Sequence, residues 1–197
     1  FSEATSGVAT ITATNGFDRI TDFRVSNNTG NGFAFEASIF EEFINLESFS
    51  INQGTINGSL SSFSALSKLN NFFVALFTEG TNAVFEGDIS DIPASLTRFT
   101  LNVPNCTFSG DLSEFKNDQM TSFSVFSHAA ITGQIADISS FNALSTFQIK
   151  SGDNSITGSL SELPFSLSFF ETALNENSFI DGDLSELSER IASFTLS

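Results

Sequence analysis

A six-residue pattern returns eight times along this chain, and its spacing restricts the fold more than any other feature. The pattern is an aliphatic residue, two variable residues, Phe, one variable residue and a further, mostly apolar residue, as in Leu46-Glu-Ser-Phe49-Ser-Ile51 and Leu144-Ser-Thr-Phe147-Gln-Ile149. Its Phe falls at Phe23, Phe49, Phe72, Phe99, Phe123, Phe147, Phe170 and Phe194, with spacings of 26, 23, 27, 24, 24, 23 and 24 residues. Alternation of Phe with the following apolar residue predicts a short strand with both side chains on one face. A unit of this length cannot bury such a face alone. Stacking successive units at the parallel-strand distance of about 4.8 Å gives each face a partner and makes one continuous core, with Phe over Phe.

A second pattern shares the period. Gly58-Ser-Leu, Gly87-Asp-Ile, Gly110-Asp-Leu, Gly133-Gln-Ile, Gly158-Ser-Leu and Gly182-Asp-Leu are each followed by two small or acidic residues and another apolar one. The glycine column predicts a tight turn where a side chain would clash or φ is positive. Segments such as Leu160-Ser-Glu-Leu163-Pro164 are too short and too Pro-punctuated for helices, so short turns are expected on the convex side.

On these residues, and best on Ile156-Thr-Gly158-Ser-Leu160 and Ile89-Ser-Asp-Ile92-Pro93-Ala-Ser-Leu96, the chain resembles plant-type leucine-rich repeats over about residues 20 to 197. The resemblance implies a mainly β, right-handed solenoid of about eight units of roughly 24 residues, with one parallel sheet of short strands and helix-poor convex turns. The chain departs from the family at the buried Asn column. The matching residues are Gly54, Ala83, Cys106, Ala129, Asn154 and Ser178, so only Asn154 keeps the amide.

Residues 1–197 read as one solenoid domain, with 1–19 a degenerate first unit carrying the turn signal Asn15-Gly16 and an inserted loop at Thr78–Asn82. The unit around Asn31-Gly32 and Ile39–Phe43 lacks the Gly motif. The final pattern stops in mid-unit on a strand. Because solenoids end in polar caps, this implies further residues, a neighbouring domain or a partner chain.

Composition narrows the partners. With 7 Lys+Arg against 23 Asp+Glu, the net charge of −16 argues against nucleic acid and anionic membranes, whose phosphates are held by cations. Hydrophobic content of 40% separates the chain from acidic disordered segments. Cys106 is the only cysteine, so no intrachain disulfide or cysteine-based zinc site is available. No stretch approaches the 18 or so apolar residues of a membrane span, and the first residues lack the basic and apolar regions of a signal peptide. Three Asn-x-Ser/Thr triplets, at Asn27, Asn57 and Asn105, are what a chain rich in these residues contains by chance.

A catalytic apparatus is not legible. His128, the sole histidine, has no nucleophile motif beside it and reads as a surface or turn residue. Phosphate-loop, dinucleotide and Gly-x-Ser-x-Gly patterns are absent.

Two sets of residues are candidate sites. Four residues after each motif glycine stand Ser62, Asp91, Glu114, Asp137, Glu162 and Glu186, and one residue after it stand Asp88, Asp111 and Asp183. Stacking brings such carboxylates to about 5 Å, where repulsion raises their pKa or recruits Ca²⁺, against the simpler reading of a solvated acidic ridge. The other set is the solvent face of the strands: Arg24, Ser48, Ser50, Phe73, Arg98, Thr100, Ser122, Ser124, Gln148, Phe169 and Glu171. It is rich in short hydroxyls, with Phe73 and Phe169 expected to be exposed. Leucine-rich repeats bind protein, peptide or glycan on this face, so the resemblance implies a non-enzymatic recognition module, outside a cell or on a virion. The alternative is a structural subunit of a coat, filament, appendage or virion that assembles through uncapped ends and side surfaces, by self-association or with neighbouring subunits.

Overall fold

A computed structural model describes residues 16–26, 34–75, 84–104, 106–187, 189 and 191–197. The expectations for residues 1–15, Asn31-Gly32, the Thr78–Asn82 insertion and the triplets at Asn27 and Asn105 lie outside these residues. In chain order the strands are β1 (Asp22–Ser26), β2 (Ala34–Glu36), β3 (Ser48–Asn52), β4 (Thr55–Ser59), β5 (Asn71–Ala75), β6 (Phe85–Asp88), β7 (Arg98–Asn102) and β8 (Thr107–Asp111). They continue with β9 (Ser122–Val125), β10 (His128–Gln134), β11 (Thr146–Ile149), β12 (Ser155–Ser159), β13 (Phe169–Thr172), β14 (Phe179–Asp181) and β15 (Ser193–Leu196).

The odd strands form one eight-stranded parallel sheet in sequence order. Its register has no offset: Phe23 pairs with Phe49, Phe49 with Phe72, and so on to Phe194. The rings accordingly stack in one file, with centroid separations of 5.6, 5.3, 5.4, 5.6, 5.5, 5.6 and 5.4 Å from Phe23 to Phe194. Phe49 through Phe170 in this file are fully buried, as are Ile51, Val74, Leu101, Val125 and Ile149 in the neighbouring file. The fold is therefore a mainly β, leucine-rich-repeat-like solenoid, as the period predicts.

A single sheet was expected, and the structure has two. The even strands form a second, seven-stranded sheet in which all recorded pairs are parallel. The glycines expected in turns lie in or beside these strands. Here the register shifts by two residues per unit: Gly58 pairs with Phe85, Gly87 with Phe108, Gly110 with Ile131, Gly133 with Ile156 and Gly158 with Ile180. An even offset preserves the inward and outward sets, whereas an offset of one would turn the apolar residues to solvent. The shift places each glycine over the aliphatic residue that follows the previous unit's glycine. A Cβ on Gly110 would lie 2.8 Å from Ile89 Cβ, and one on Gly133 would lie 2.8 Å from Leu112 Cβ. In the first unit Phe35 takes the glycine's place, pairing with Ile56, and the small Ala37 lies beneath Gly58.

Single 3₁₀ turns leave the second sheet, at Ala37–Glu42, Leu60–Phe63, Ile89–Asp91, Leu112–Glu114, Ile135–Ile138, Leu160–Glu162 and Leu184–Glu186. Their first residue points into the core and is buried in each of these turns except the last. The short apolar spacing keeps these turns to between three and six residues.

Hydrogen bonds between units replace the missing amide column. The hydroxyls of Thr97, Thr121, Ser145 and Ser168, each two residues before the stacked Phe, donate to the carbonyls of Asn70, Thr97, Thr121 and Ser145 at 2.8–3.0 Å. Asn154 is fully buried and works as the resemblance implies: its Oδ1 accepts from Ile131 N at 3.0 Å and its Nδ2 donates to the Ala173 carbonyl at 2.9 Å. Ser127 and Ser178 accept from Val103 N and Ile156 N, so a hydroxyl does the same work in the unit on either side. The sequence signal was the Ser/Thr file two residues before the Phe, which an amide-centred reading passes over.

Candidate functional site

Strand alternation divides the first sheet's residues between the core and an outer face. That face carries two in-register files. One runs Asp22, Ser48, Asn71, Arg98, Ser122, Thr146, Phe169, Ser193, and the other Arg24, Ser50, Phe73, Thr100, Ser124, Gln148, Glu171, Thr195. All eleven residues expected on the face are therefore brought together on it, but two are not open to solvent. Ser124 is 5% exposed and Gln148 9% exposed, the serine lying between its file neighbours Thr100 and Gln148. Phe73 and Phe169, expected to be exposed, are half-buried.

Gln148 is part of a small polar cluster. Its Nε2 donates to Glu171 Oε2 at 2.5 Å, and Lys150 Nζ lies 4.0 Å from the same carboxylate and 5.6 Å from the Phe126 ring centroid. Burial of Gln148 is tolerable because the amide has a charged acceptor. At the other end Arg24 and Asp22 form a 3.1 Å pair, largely exposed and so worth little. Between these pairs the face is hydroxyl and amide apart from Phe73, with Arg98 as its one exposed cation. The face offers mostly neutral hydrogen-bonding groups with Phe73 and Phe169 among them, on strands whose inward side is the buried Phe file.

The carboxylate columns have a structural role. Asp91, Glu114, Asp137 and Glu162 each accept from the backbone N–H three residues earlier, at Asp88, Asp111, Gln134 and Ser159, over 2.8–3.2 Å. Asp88, Asp111 and Asp183 in turn accept from the N–H groups of Ser90, Ser113 and Ser185. At the turns capped by Asp88, Asp111, Gln134 and Ser159 the bonds are reciprocal and form capping boxes. Glu186 stands at the same place in the last turn. Asp88 and Asp111 also tie neighbouring units, accepting from Ser109 Oγ at 2.9 Å and Thr132 Oγ1 at 2.7 Å. Among the described residues no three His, Cys, Asp or Glu are gathered where they could hold a metal ion. Of the eight carboxylates with the Ca²⁺ expectation, Asp88, Asp91, Asp111, Glu114, Asp137, Glu162 and Asp183 each spend at least one oxygen on a backbone amide or a hydroxyl.

The resolved pKa directions in these columns run both ways. Hydrogen bonds from Ser113 and Thr132 hold the Asp111 carboxyl below its ordinary 3.8. Burial pushes Asp88 up, but bonds from Ser90 and Ser109 outweigh it and the net direction is down. Asp183 is lowered by Ser185. Asp91 alone is raised, first by burial and then by the Asp88 charge.

A lowered folded pKa means that ionised Asp111 stabilises the fold above the unfolded-state value, and that this contribution is lost as pH falls through the folded value. Raised Asp91 works oppositely, its contribution being present at low pH and lost as pH rises through the folded value. Asp111→Ala is therefore expected to cost about 1 kcal/mol near pH 7, as loss of a cap does. The difference from the parent chain should shrink as pH drops below 3.8. Thermal melts of both chains from about pH 7 to about pH 2 check it. A gap that stays constant or widens on acidification would contradict the charge-assisted cap.

His128 sits exposed on β10, as a surface residue was expected to. Cys106 is buried and its thiol is pushed up to about 12 by burial, leaving it unreactive as a nucleophile. Among the described residues no helix is long and apolar enough to cross a membrane.

No protein-family model matches the sequence, and no curated protein matches it. Among solved structures the fold is similar to that of a plant peptide hormone receptor, RGFR1, in complex with RGF2, with a TM-score of 0.54 and 21% identity. That match covers 74% of this chain and 23% of the receptor chain, so this chain spans about a quarter of the receptor's length. At this identity the likeness establishes the solenoid architecture.

Proposed function

We propose that this chain is a non-enzymatic recognition module that binds a protein or glycan ligand on the outer face of its eight-stranded sheet, outside a cell or on a virion. One observation carries the reading. The convex turns spend their polar side chains on capping boxes, whereas Ser48, Ser50, Thr100, Ser122 and Thr146 stand half-buried on the strand face with no side-chain donation of their own recorded to other residues. A flat, rigid surface with hydroxyls, amides and a few aromatic edges suits a ligand that presents hydrogen-bonding groups along its length. The likeness to a receptor that is itself in complex with RGF2 supports a binding role in general terms.

The test is a peptide and glycan array screened with the 197-residue chain, followed by titration of the hits. Ser122→Arg and Thr146→Arg together, on adjacent strands of one file, are expected to weaken a face ligand at least tenfold, about 1.4 kcal/mol. Ser113→Arg, on an exposed convex turn, should leave it unchanged. The opposite pattern would move the site to the convex side.

A further inference from the structure

Charge sets the outer face of the first sheet apart from the rest of the surface. The chain has 23 Asp and Glu against 7 Lys and Arg. Within the eight strands of that sheet, however, only Asp22 and Glu171 are acidic, and Arg24 and Arg98 stand on the same face. A chain of net charge −16 therefore keeps one side neutral.

Both strand carboxylates have partners there. Asp22 pairs with Arg24 at 3.1 Å, and Glu171 lies 4.0 Å from Lys150, one residue past β11. Arg98 is left over. It is exposed on β7, near the middle of the sheet, with Asp22 on β1 and Glu171 on β13 each three strands away. At the parallel-strand spacing that is about 14 Å, beyond the screening length of about 8 Å at physiological salt. Among the described residues no carboxylate oxygen comes within 4.0 Å of its guanidinium. Its register neighbours are Asn71 and Ser122, and Thr100 follows two residues on along the same strand, beside Phe73 of β5. A guanidinium without a counter-charge, among amide and hydroxyl donors, suits a planar oxyanion held by two parallel hydrogen bonds.

The surroundings of Arg98 narrow the molecule that carries the anion. On a sheet face the backbone N–H and C=O groups are engaged in the ladder, so a peptide laid across the strands would find few partners for its own backbone. Ser and Thr hydroxyls both donate and accept, as sugar hydroxyls do, so the two match in many relative orientations. A densely charged polymer is disfavoured, because one unpaired cation faces the field of a chain with net charge −16. We propose that the face around Arg98 binds an oligosaccharide bearing a single carboxylate, that of a uronic acid residue. Arg98 holds the carboxylate, and Asn71, Thr100 and Ser122 bond the hydroxyls beside it. The proposal rests on the recognition reading of this face and fixes its ligand class.

The test is calorimetric titration of the 197-residue chain with a set of oligosaccharides of differing backbone, each made with one glucuronic acid and again with glucose in its place. An Arg–carboxylate contact should favour the acidic member of a pair by about tenfold or more. Arg98→Gln should abolish that preference while leaving the melting temperature at the parent's, since the side chain is exposed. Lys68→Gln removes an exposed cation that lies off the strands and bonds Asn45 Oδ1, and should keep the preference. A parent chain that binds neither form, or both forms equally, overturns the proposal, and so does a preference undiminished in Arg98→Gln. Neutral sugars or acidic peptides bound on the face without a preference for glucuronic acid would overturn it too, yet would leave the recognition reading standing.

Discussion

Phe99→Ala is expected to lower the free energy of unfolding by about 4 kcal/mol, the range found when a fully buried Phe is truncated in a core that cannot collapse. Phe99 has no solvent exposure and packs against Phe72 at 5.4 Å, Phe123 at 5.6 Å and Phe108 at 5.5 Å. Its neighbours are pinned by the in-register strands above and below, so the vacated volume stays open. Phe194→Ala is the comparison. That ring is half-buried and stacks on Phe170 alone in its file, at 5.4 Å, so about 1–2 kcal/mol is expected. Position in the stack should also change the shape of the transition. In a quasi-one-dimensional array each unit is stabilised by its neighbours, so a weak central junction uncouples the two halves, and a terminal one only frays. Urea denaturation followed by circular dichroism is the measurement, the chain having no Trp or Tyr to report by fluorescence. Phe99→Ala should broaden or split the transition, and Phe194→Ala should shift it slightly. Equal losses at the two positions would show that the Phe file is not the coupling element.

The Phe file was legible because its period survives in the sequence whatever the intervening residues do, and because Phe-x-aliphatic alternation allows one inward face. The second sheet was not. Its strands carry one consistently inward residue each, such as Ile56, Phe108 or Ile156, beside a glycine that local reading treats as a breaker. What makes those segments strands is pairing with the unit before, at an offset of two, and no single unit records that offset. Burial of Ser124 and Gln148 was hidden for a related reason. Alternation assigns a residue to a face, but exposure on that face depends on side chains from adjacent strands. The capping role of the carboxylates was legible but went unread. Gly-Asp-Leu-Ser-Glu at residues 110–114 spells an N-cap Asp with a Glu three residues on, a capping signal. Read down the stack as a column of charges, the same residues leave a solvated acidic ridge and a Ca²⁺ site as the alternatives.

The glycine column allows the two causes of its selection to be measured separately. Gly133 combines them, with φ +124° and a prospective Cβ 2.8 Å from both Leu112 Cβ and Leu112 N. Backbone atoms of the adjacent unit cannot swing away as a side-chain tip could. Gly16 has φ +103° and nothing among the described residues within 4 Å of a prospective Cβ, so it reports the conformational cost, about 1–2 kcal/mol for a residue with a Cβ. Gly87 lacks the positive φ, but its Cβ would meet Leu60 Cβ at 2.8 Å, so it isolates crowding, about 1–3 kcal/mol. Gly133→Ala is then expected to cost about 2–5 kcal/mol, since the one methyl group meets both the backbone and the crowding cost. Urea midpoints of the three alanine variants provide the comparison. If Gly87→Ala proves as stable as the parent, units can move apart locally to admit a methyl group. The glycine column would then be held by backbone conformation alone, and the two-residue stagger of the second sheet would not depend on close approach.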